Sequence, residues 1–200
     1  GSGITLVANG GSIESSTGAI IATGDSLRMH ATAGIGTPDP LLTAVSQLDA
    51  ENTDDSGIFV DNTGDLELHD LGGDYPDAIY SLGGEVSIST HSAIALTSSD
   101  SIHTYGGDLT LTATTGIIQD PNSHIDTTAG AGIPAGSYTA STGSGSAYIM
   151  DAGAAIVTND PDDADGNVFI TAEDVSFDTS ANPSSINVGD GDVTIVPASA

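Results

Sequence analysis

Apolar and polar residues alternate along most of this chain in short runs separated by glycines. The stretch GGDLTLTATTGIIQD, residues 106–120, is typical: Leu109 and Leu111 alternate with threonines, and Gly116 precedes a second short apolar pair. Successive side chains of a β-strand point to opposite faces, so a period of two indicates a strand with one buried face. The stretch therefore predicts a strand, a turn and a second strand.

One phrase recurs along the chain: a glycine, usually a small or acidic residue, and then two apolar residues that flank another residue. It begins at Gly3, Gly24, Gly64, Gly84, Gly107, Gly145, Gly166 and Gly191. The spacings indicate a repeating unit of about 20 to 25 residues, with two further units less clearly marked. Several short strands per unit, with small polar residues at the corners, are typical of a β-solenoid. A β-sandwich of the bacterial immunoglobulin type is the main alternative, because short, regularly spaced strands suit it as well.

We therefore expect an all-β fold, a β-solenoid in a single segment over residues 1–200, with roughly eight or nine coils of about 20 to 25 residues. Loop insertions are expected near residues 129–137 and 159–166. The run DPLLTAVSQLD, residues 39–49, is also compatible with a short helix because it begins with Asp-Pro. We prefer a strand-bearing coil there, since it restores the period.

The charge of the chain restricts its partners. Of 200 residues, 28 are acidic and one, Arg28, is basic, which gives a formal net charge of −27. Such a surface repels nucleic-acid phosphates and anionic lipids, so we expect no nucleic-acid partner. We also expect no membrane insertion, because no stretch of about 18 apolar residues is present. Most of the acids are interpreted as a solvated surface that resists aggregation.

No arrangement of residues in the sequence indicates catalysis. The acidic pairs Asp54-Asp55 and Asp162-Asp163 lie in loop-like runs, and no G-x-S-x-G, H-E-x-x-H or P-loop motif is present. Polysaccharide lyases of the β-helix fold usually need a basic residue, and this chain offers only Arg28. We therefore predict that the chain is not an enzyme.

The densest group of candidate metal ligands lies in NDPDDADGN, residues 159–167. Its oxygen-bearing side chains include Asp160, Asp162, Asp163, Asp165 and Asn167. Hard oxygen ligands at this density suit Ca²⁺, although the spacing matches neither an EF-hand nor the calcium β-roll repeat. Calcium is thus the candidate cofactor, with a solvated corner loop as the favoured alternative. The run VGDGDV, residues 188–193, is a second, weaker calcium candidate.

The five histidines are spread at about one per unit. They are His30, His69, His91, His103 and His124. A ladder of histidines on one face would suit a transition metal, but no pair has the i, i+2 or i+4 spacing that indicates such a site. We therefore predict isolated surface histidines.

Residues 34–71 resemble a phrase of giant bacterial exoproteins of the filamentous-haemagglutinin type. Those proteins carry I-G, then P-L-x-T-x-V-x-x-L-x-A, then G-I-x-x-x-N-x-G-x-L. The matching positions here are Ile35-Gly36, Pro40-Leu41, Thr43, Val45, Leu48, Ala50, Gly57-Ile58, Asn62, Gly64 and Leu66. The resemblance implies a right-handed parallel β-helix, secretion by a Gram-negative bacterium, and a role as a surface adhesin, stalk or filament.

Together these observations predict a secreted, extracellular structural or adhesive rod, as a fragment or processed piece of a larger bacterial exoprotein. Unpaired strand edges at the ends of a solenoid favour end-to-end association with further copies or neighbouring solenoid domains. The alternative is an adhesin module that binds a host or biofilm glycan or a receptor. Tyrosines aligned on one face would favour that alternative, and the tyrosines are Tyr75, Tyr80, Tyr105, Tyr138 and Tyr148.

Overall fold

The computed structural model describes residues 3–15, 22–37, 39–129, 133–159 and 164–198. Every regular element in these ranges is a β-strand, so they contain no helix that could span a bilayer. In chain order the strands are β1 (Gly3–Ala8), β2 (Ala22–Ala31), β3 (Leu41–Asn52), β4 (Ile58–Asn62), β5 (Leu66–Leu68), β6 (Ile79–Ser81), β7 (Val86–Thr90), β8 (Ala93–Leu96), β9 (Ser101–His103), β10 (Leu109–Ala113), β11 (Gly116–Gln119), β12 (His124–Asp126), β13 (Tyr138–Thr142), β14 (Ala147–Met150), β15 (Ala155–Val157), β16 (Val168–Thr171), β17 (Asp174–Phe177), β18 (Ser185–Asn187) and β19 (Val193–Val196).

The strands form three parallel ladders, and the chain visits each ladder once per coil. The first ladder contains β4, β7, β10, β13, β16 and β19; the second contains β5, β8, β11, β14 and β17; the third contains β6, β9, β12, β15 and β18. The long strand β3 pairs in turn with β4, β5 and β6, so it runs through all three. The predicted β-solenoid is confirmed, and the sandwich alternative is wrong.

The solenoid has about seven turns, fewer than the eight or nine expected. The coils are unequal in length: Gln47 pairs with Glu67, 20 positions on, whereas Ser141 pairs with Thr171, 30 positions on. Loops between the ladders lengthen several coils beyond the period estimated from the glycines. The run at 39–49 falls mainly in strand β3, which confirms the preference for strand over helix there.

Alternate residues of each strand fill a continuous apolar core. In β10, Leu109, Leu111 and Ala113 are buried, whereas Thr112 between them is exposed. Parallel register places Ile88, Leu111 and Ala140 above one another in successive coils. Burial of each such leucine or isoleucine contributes about 1.5–3 kcal/mol.

A column of glycines accounts for half of the recurring glycine phrases, those at Gly84, Gly107, Gly166 and Gly191, whereas a Cβ on Gly64 or Gly145 would meet nothing within 4 Å. A Cβ on Gly107 would lie 2.1 Å from the carbonyl oxygen of Gly84, and one on Gly136 would lie 2.1 Å from that of Gly107. The same close approach continues through Gly166 and Gly191. The backbones of successive coils therefore meet at this corner too closely for any side chain. Buried hydroxyls of Ser81, Thr104, Thr127 and Thr158 donate hydrogen bonds to glycine carbonyls of this column.

Two tyrosines lie inside the core, which the pattern of small and aliphatic residues does not predict. Tyr138 and Tyr148 are fully buried, and their hydroxyl oxygens lie 3.0 Å apart. The Tyr148 hydroxyl donates to Oε1 of Gln119 at 2.8 Å, so the Tyr138 hydroxyl donates to Tyr148. Burial raises the pKa of both phenols, which keeps them neutral and able to donate.

Candidate functional site

The outward positions of the third ladder gather side chains that are distant in sequence. Parallel register aligns His30, Glu51, Tyr80, His103 and Asp126, one from each successive coil. A parallel column two residues earlier on each strand includes Arg28, Asp49 and His124. Three of the five histidines and the single basic residue of the chain therefore share one side of the solenoid. We call this surface the third-ladder face.

Two carboxylates on the third-ladder face are completely buried. Asp49 and Glu51 point outward from β3, yet both are 0% exposed, because residues 70–78, which form most of the connection between β5 and β6, fold over them. The backbone N–H of Leu71 donates to Asp49 Oδ2 at 2.9 Å, and that of Tyr75 donates to Glu51 Oε1 at 3.2 Å. A Cβ at Gly73 would lie 1.7 Å from Glu51 Oε1, so a larger residue there would displace the Glu51 carboxylate.

Arg28, the single Lys or Arg residue of the chain, lies beside these buried carboxylates. Its Nε lies 4.0 Å from Asp49 Oδ2 and its Nη2 lies 3.8 Å from Glu51 Oε2, both too long for hydrogen bonds. Arg28 Nε and Asp49 Oδ1 are buried and have no hydrogen-bond partner. The pKa of Asp49 is raised from 3.8 to about 6, chiefly by burial; the charge of Glu51 also raises it, whereas the Leu71 N–H and Arg28 lower it. One guanidinium therefore compensates two buried carboxyl groups incompletely.

His30, Glu51 and Asp74 form a compact group beside Arg28. Nδ1 of His30 lies 2.9 Å from Glu51 Oε2 and 3.9 Å from Asp74 Oδ2. The three potential ligand atoms all lie within 4.8 Å of one another, the one such set of three found in the part of the chain that the structure describes. Strand β2, strand β3 and the 70–78 loop each supply one of them.

Aromatic rings lie next to this group on the third-ladder face. Tyr75 stacks on Tyr80 with ring centroids 3.6 Å apart and planes 9° apart. His103 stacks on Tyr105 at 4.0 Å, and Tyr80 meets Tyr105 edge to face at 5.6 Å. The partly exposed rings of Tyr75 and Tyr105 form the outer surface of this aromatic cluster. Asp77 lies nearby; burial raises its pKa, and the charge of His103 partly offsets that effect.

The predicted calcium loop is only partly within the described residues. Asp160, Asp162 and Asp163 lie outside them. The Oδ2 atom of Asp165 accepts a hydrogen bond from the N–H of Asp190 at 2.5 Å, and Oδ1 of Asn167 accepts one from Asp192 at 2.8 Å. Asp165 and Asn167 therefore lie against the run 188–193 of the next coil, and calcium binding there stays a prediction.

The prediction that the histidines are isolated is wrong for His30, which contacts Glu51 directly, and for His69, whose Nδ1 lies 2.8 Å from Asp100 Oδ2. Sequence spacing could not reveal these pairs, because their members are neighbours across coils rather than along one strand. Aligning residues 26–31 of β2 with residues 47–52 of β3 would have placed His30 and Glu51 in register. No comparable pattern in the sequence shows that the 70–78 loop buries Glu51, because the burial depends on how the loop backbone folds back over β3.

No protein-family model, curated protein or solved structure matches this chain. The resemblance to exoproteins of the filamentous-haemagglutinin type therefore rests on the residues quoted for it alone.

Proposed function

We propose that this chain is part of a non-enzymatic, secreted bacterial surface protein, in which it forms a rigid acidic rod that joins end to end with other solenoid segments or copies of itself. The observation that supports this most is the exposed core at the end of the last coil. Val193 and Ile195 continue the buried columns of Val168 and Ile170, and each is 45% exposed. A further coil placed on them would extend the same core.

Hydrogen bonding supports the same arrangement. Strand β19 pairs with β16 on one side, and no described strand pairs with its other edge. An unpaired edge offers N–H and C=O groups to another strand, which is how open solenoid ends associate. The net charge of −27 opposes contact between the sides of two rods, so axial stacking is favoured over lateral clumping.

Electron microscopy of the purified chain tests this function, at matched protein concentration with calcium and with a chelator. We expect strings of constant width whose length grows with concentration. If strings form only with calcium, carboxylates such as Asp165 are bridged by the ion. Dispersed particles of one size in both conditions would contradict the end-to-end assembly.

A specific observation also favours glycan binding as a second candidate function. The clustered rings of Tyr75, Tyr80 and Tyr105 present aromatic surface beside carboxylates, and flat aromatic surface with a few polar groups is suited to binding sugar rings. Screening the chain against immobilised glycans tests this candidate. Binding that is lost in Tyr105→Ala but kept in Tyr138→Phe would support it, whereas equal binding by both variants would refute it.

A further inference from the structure

We propose that His30, Glu51 and Asp74 bind one divalent transition-metal ion of the Zn²⁺ type. The proposal is independent of end-to-end assembly and of glycan binding. It rests on the spacing of three ligand atoms, on the way Glu51 is held, and on the incompletely compensated charge of Asp49.

The ligand atoms have the spacing that a metal ion needs. Two ligands of a tetrahedral Zn²⁺ ion, each at about 2.0–2.1 Å, lie about 3.4 Å apart. The distances from His30 Nδ1 to Glu51 Oε2 and to Asp74 Oδ2 are 2.9 Å and 3.9 Å, which bracket that value. Side-chain shifts of a few tenths of an ångström would place all three atoms around one ion. One imidazole with two carboxylates suits Zn²⁺ better than Ca²⁺, which takes oxygen ligands almost exclusively.

Glu51 is positioned as a ligand by groups that hold its second oxygen. The N–H of Tyr75 donates to Oε1, and the backbone of Gly73 packs against the same oxygen, so Oε2 is left directed at His30. Hydrogen bonds of this kind orient ligands in established metal sites. The same loop segment also carries Asp74, so one loop both orients one ligand and supplies another.

The buried charge of this region points independently to a missing cation. Asp49 is 0% exposed, lies two residues before Glu51 on the same strand, and has an oxygen with no hydrogen-bond partner. Arg28, the single Lys or Arg residue of the chain, contacts neither buried carboxylate at hydrogen-bond distance. Buried carboxylates are stable when they are paired or coordinate a metal. A dication bound by Glu51 would supply the positive charge that a single guanidinium does not.

Metal binding would fasten the 70–78 loop to the solenoid. His30 and Glu51 belong to the coil framework, whereas Asp74 belongs to the loop and its side chain is 76% exposed. An ion shared by the three would fix the loop and, with it, the ring of Tyr75 on Tyr80. Three protein ligands leave one tetrahedral position for water or for an oxygen of another molecule.

The test is calorimetric titration of the chain with Zn²⁺ in the presence of excess Ca²⁺, which occupies non-specific carboxylate sites. We expect the unmodified chain to bind one equivalent of Zn²⁺ tightly. Asp74→Asn should lower the affinity for this ion at least about tenfold, as should His30→Gln, because each removes one of three ligands. Asp74→Asn is the main variant, because Asp74 is exposed and its replacement should not disturb folding. A loss of Zn²⁺ affinity in this variant therefore reports on the ligand itself.

Two control variants separate this site from adventitious binding. Glu85→Gln removes an exposed acid elsewhere, and His124→Gln removes a histidine of the same face that lies 3.9 Å from Asp126. Neither variant should change the affinity of the proposed site for Zn²⁺ by more than about twofold. With Co²⁺ in place of Zn²⁺, the unmodified chain should show the visible absorption of a tetrahedral ion, and Asp74→Asn should not. Absence of a tight equivalent, or equal affinity in Asp74→Asn and Glu85→Gln, would overturn the proposal.

Discussion

Val193 lies directly over Val168 in parallel register, yet Val193 is 45% exposed and Val168 is fully buried. The two residues occupy the same column of the core and differ only in whether another coil covers them. Successive coils of a solenoid pack through equivalent surfaces, so an uncovered coil can bind a further coil in the same way. The last described coil therefore exposes core-type side chains beside an unpaired strand edge.

A charge placed on this end should prevent self-association without unfolding the chain. In Ile195→Asp, a carboxylate replaces an apolar side chain that a stacked coil would bury, and burial of an unpaired charge is strongly unfavourable. Sedimentation velocity should show a shift from larger species to a single small species. Thr194→Asp is the matched control, because Thr194 is on the same strand and points away from the core column. Equal loss of association in both variants would indicate general charge repulsion instead.

The buried tyrosine pair should contribute unequally to stability. Tyr148→Phe leaves both Gln119 Oε1 and the Tyr138 hydroxyl without a partner, so we expect a loss of about 1–3 kcal/mol in the free energy of unfolding. Tyr138→Phe leaves the Tyr148–Gln119 bond intact, so we expect a loss of about 0.5–1.5 kcal/mol. Urea denaturation of the two variants measures the difference. A larger loss in Tyr138→Phe would show that the hydroxyls donate in the opposite order.

Replacing a glycine of the column by even the smallest side chain should strongly destabilise the fold. Gly107→Ala would place a methyl group 2.1 Å from the Gly84 carbonyl oxygen and force two coils apart. We expect a loss of at least about 1–3 kcal/mol in the free energy of unfolding, as for an overpacked core. Gly11→Ala is the control, because nothing lies within 4 Å of its added Cβ. Similar stabilities of the two variants, measured by thermal unfolding, would contradict the close approach of the coils.

Asp49 should make the stability depend on pH in one specific window. Its folded-state pKa of about 6 lies above its ordinary value of 3.8, so the folded chain holds a proton that the unfolded chain releases. The stabilising contribution of Asp49 is therefore full below about pH 4 and is lost as the pH rises through about 6. Between these values the unmodified chain should lose stability relative to Asp49→Asn, whose amide oxygen can still accept the Leu71 N–H.

Unfolding should be followed by denaturant titration at several pH values in a chelator, so that metal binding does not contribute. Asp39→Asn, at an exposed position, should keep the pH dependence of the unmodified chain. If Asp49→Asn and the unmodified chain changed in parallel from pH 4 to 7, the pKa of Asp49 would not be raised by burial.

The sequence predicts the solenoid well because its determinants are local and repeated. The alternation around Leu109 and the close approach of backbones at Gly107 each reflect a constraint that recurs from coil to coil. Contacts such as His30 with Glu51 depend on register between coils of unequal length, so they cannot be found without counting those lengths. The burial of Glu51 depends on a loop that no repeat determines, and Tyr148 enters the core only because Gln119 and Tyr138 satisfy its hydroxyl.

Small-angle X-ray scattering over a concentration series distinguishes end-to-end stacking of the solenoid from side-by-side association and from an isolated unit. Seven coils at about 4.8 Å per coil make a unit about 34 Å long, so end-to-end joining adds length in steps of that order. We predict that the radius of gyration of the cross-section stays constant while the overall length increases with concentration. A length that stays at one unit at every concentration, or a cross-section that widens, would contradict a rod built by axial stacking.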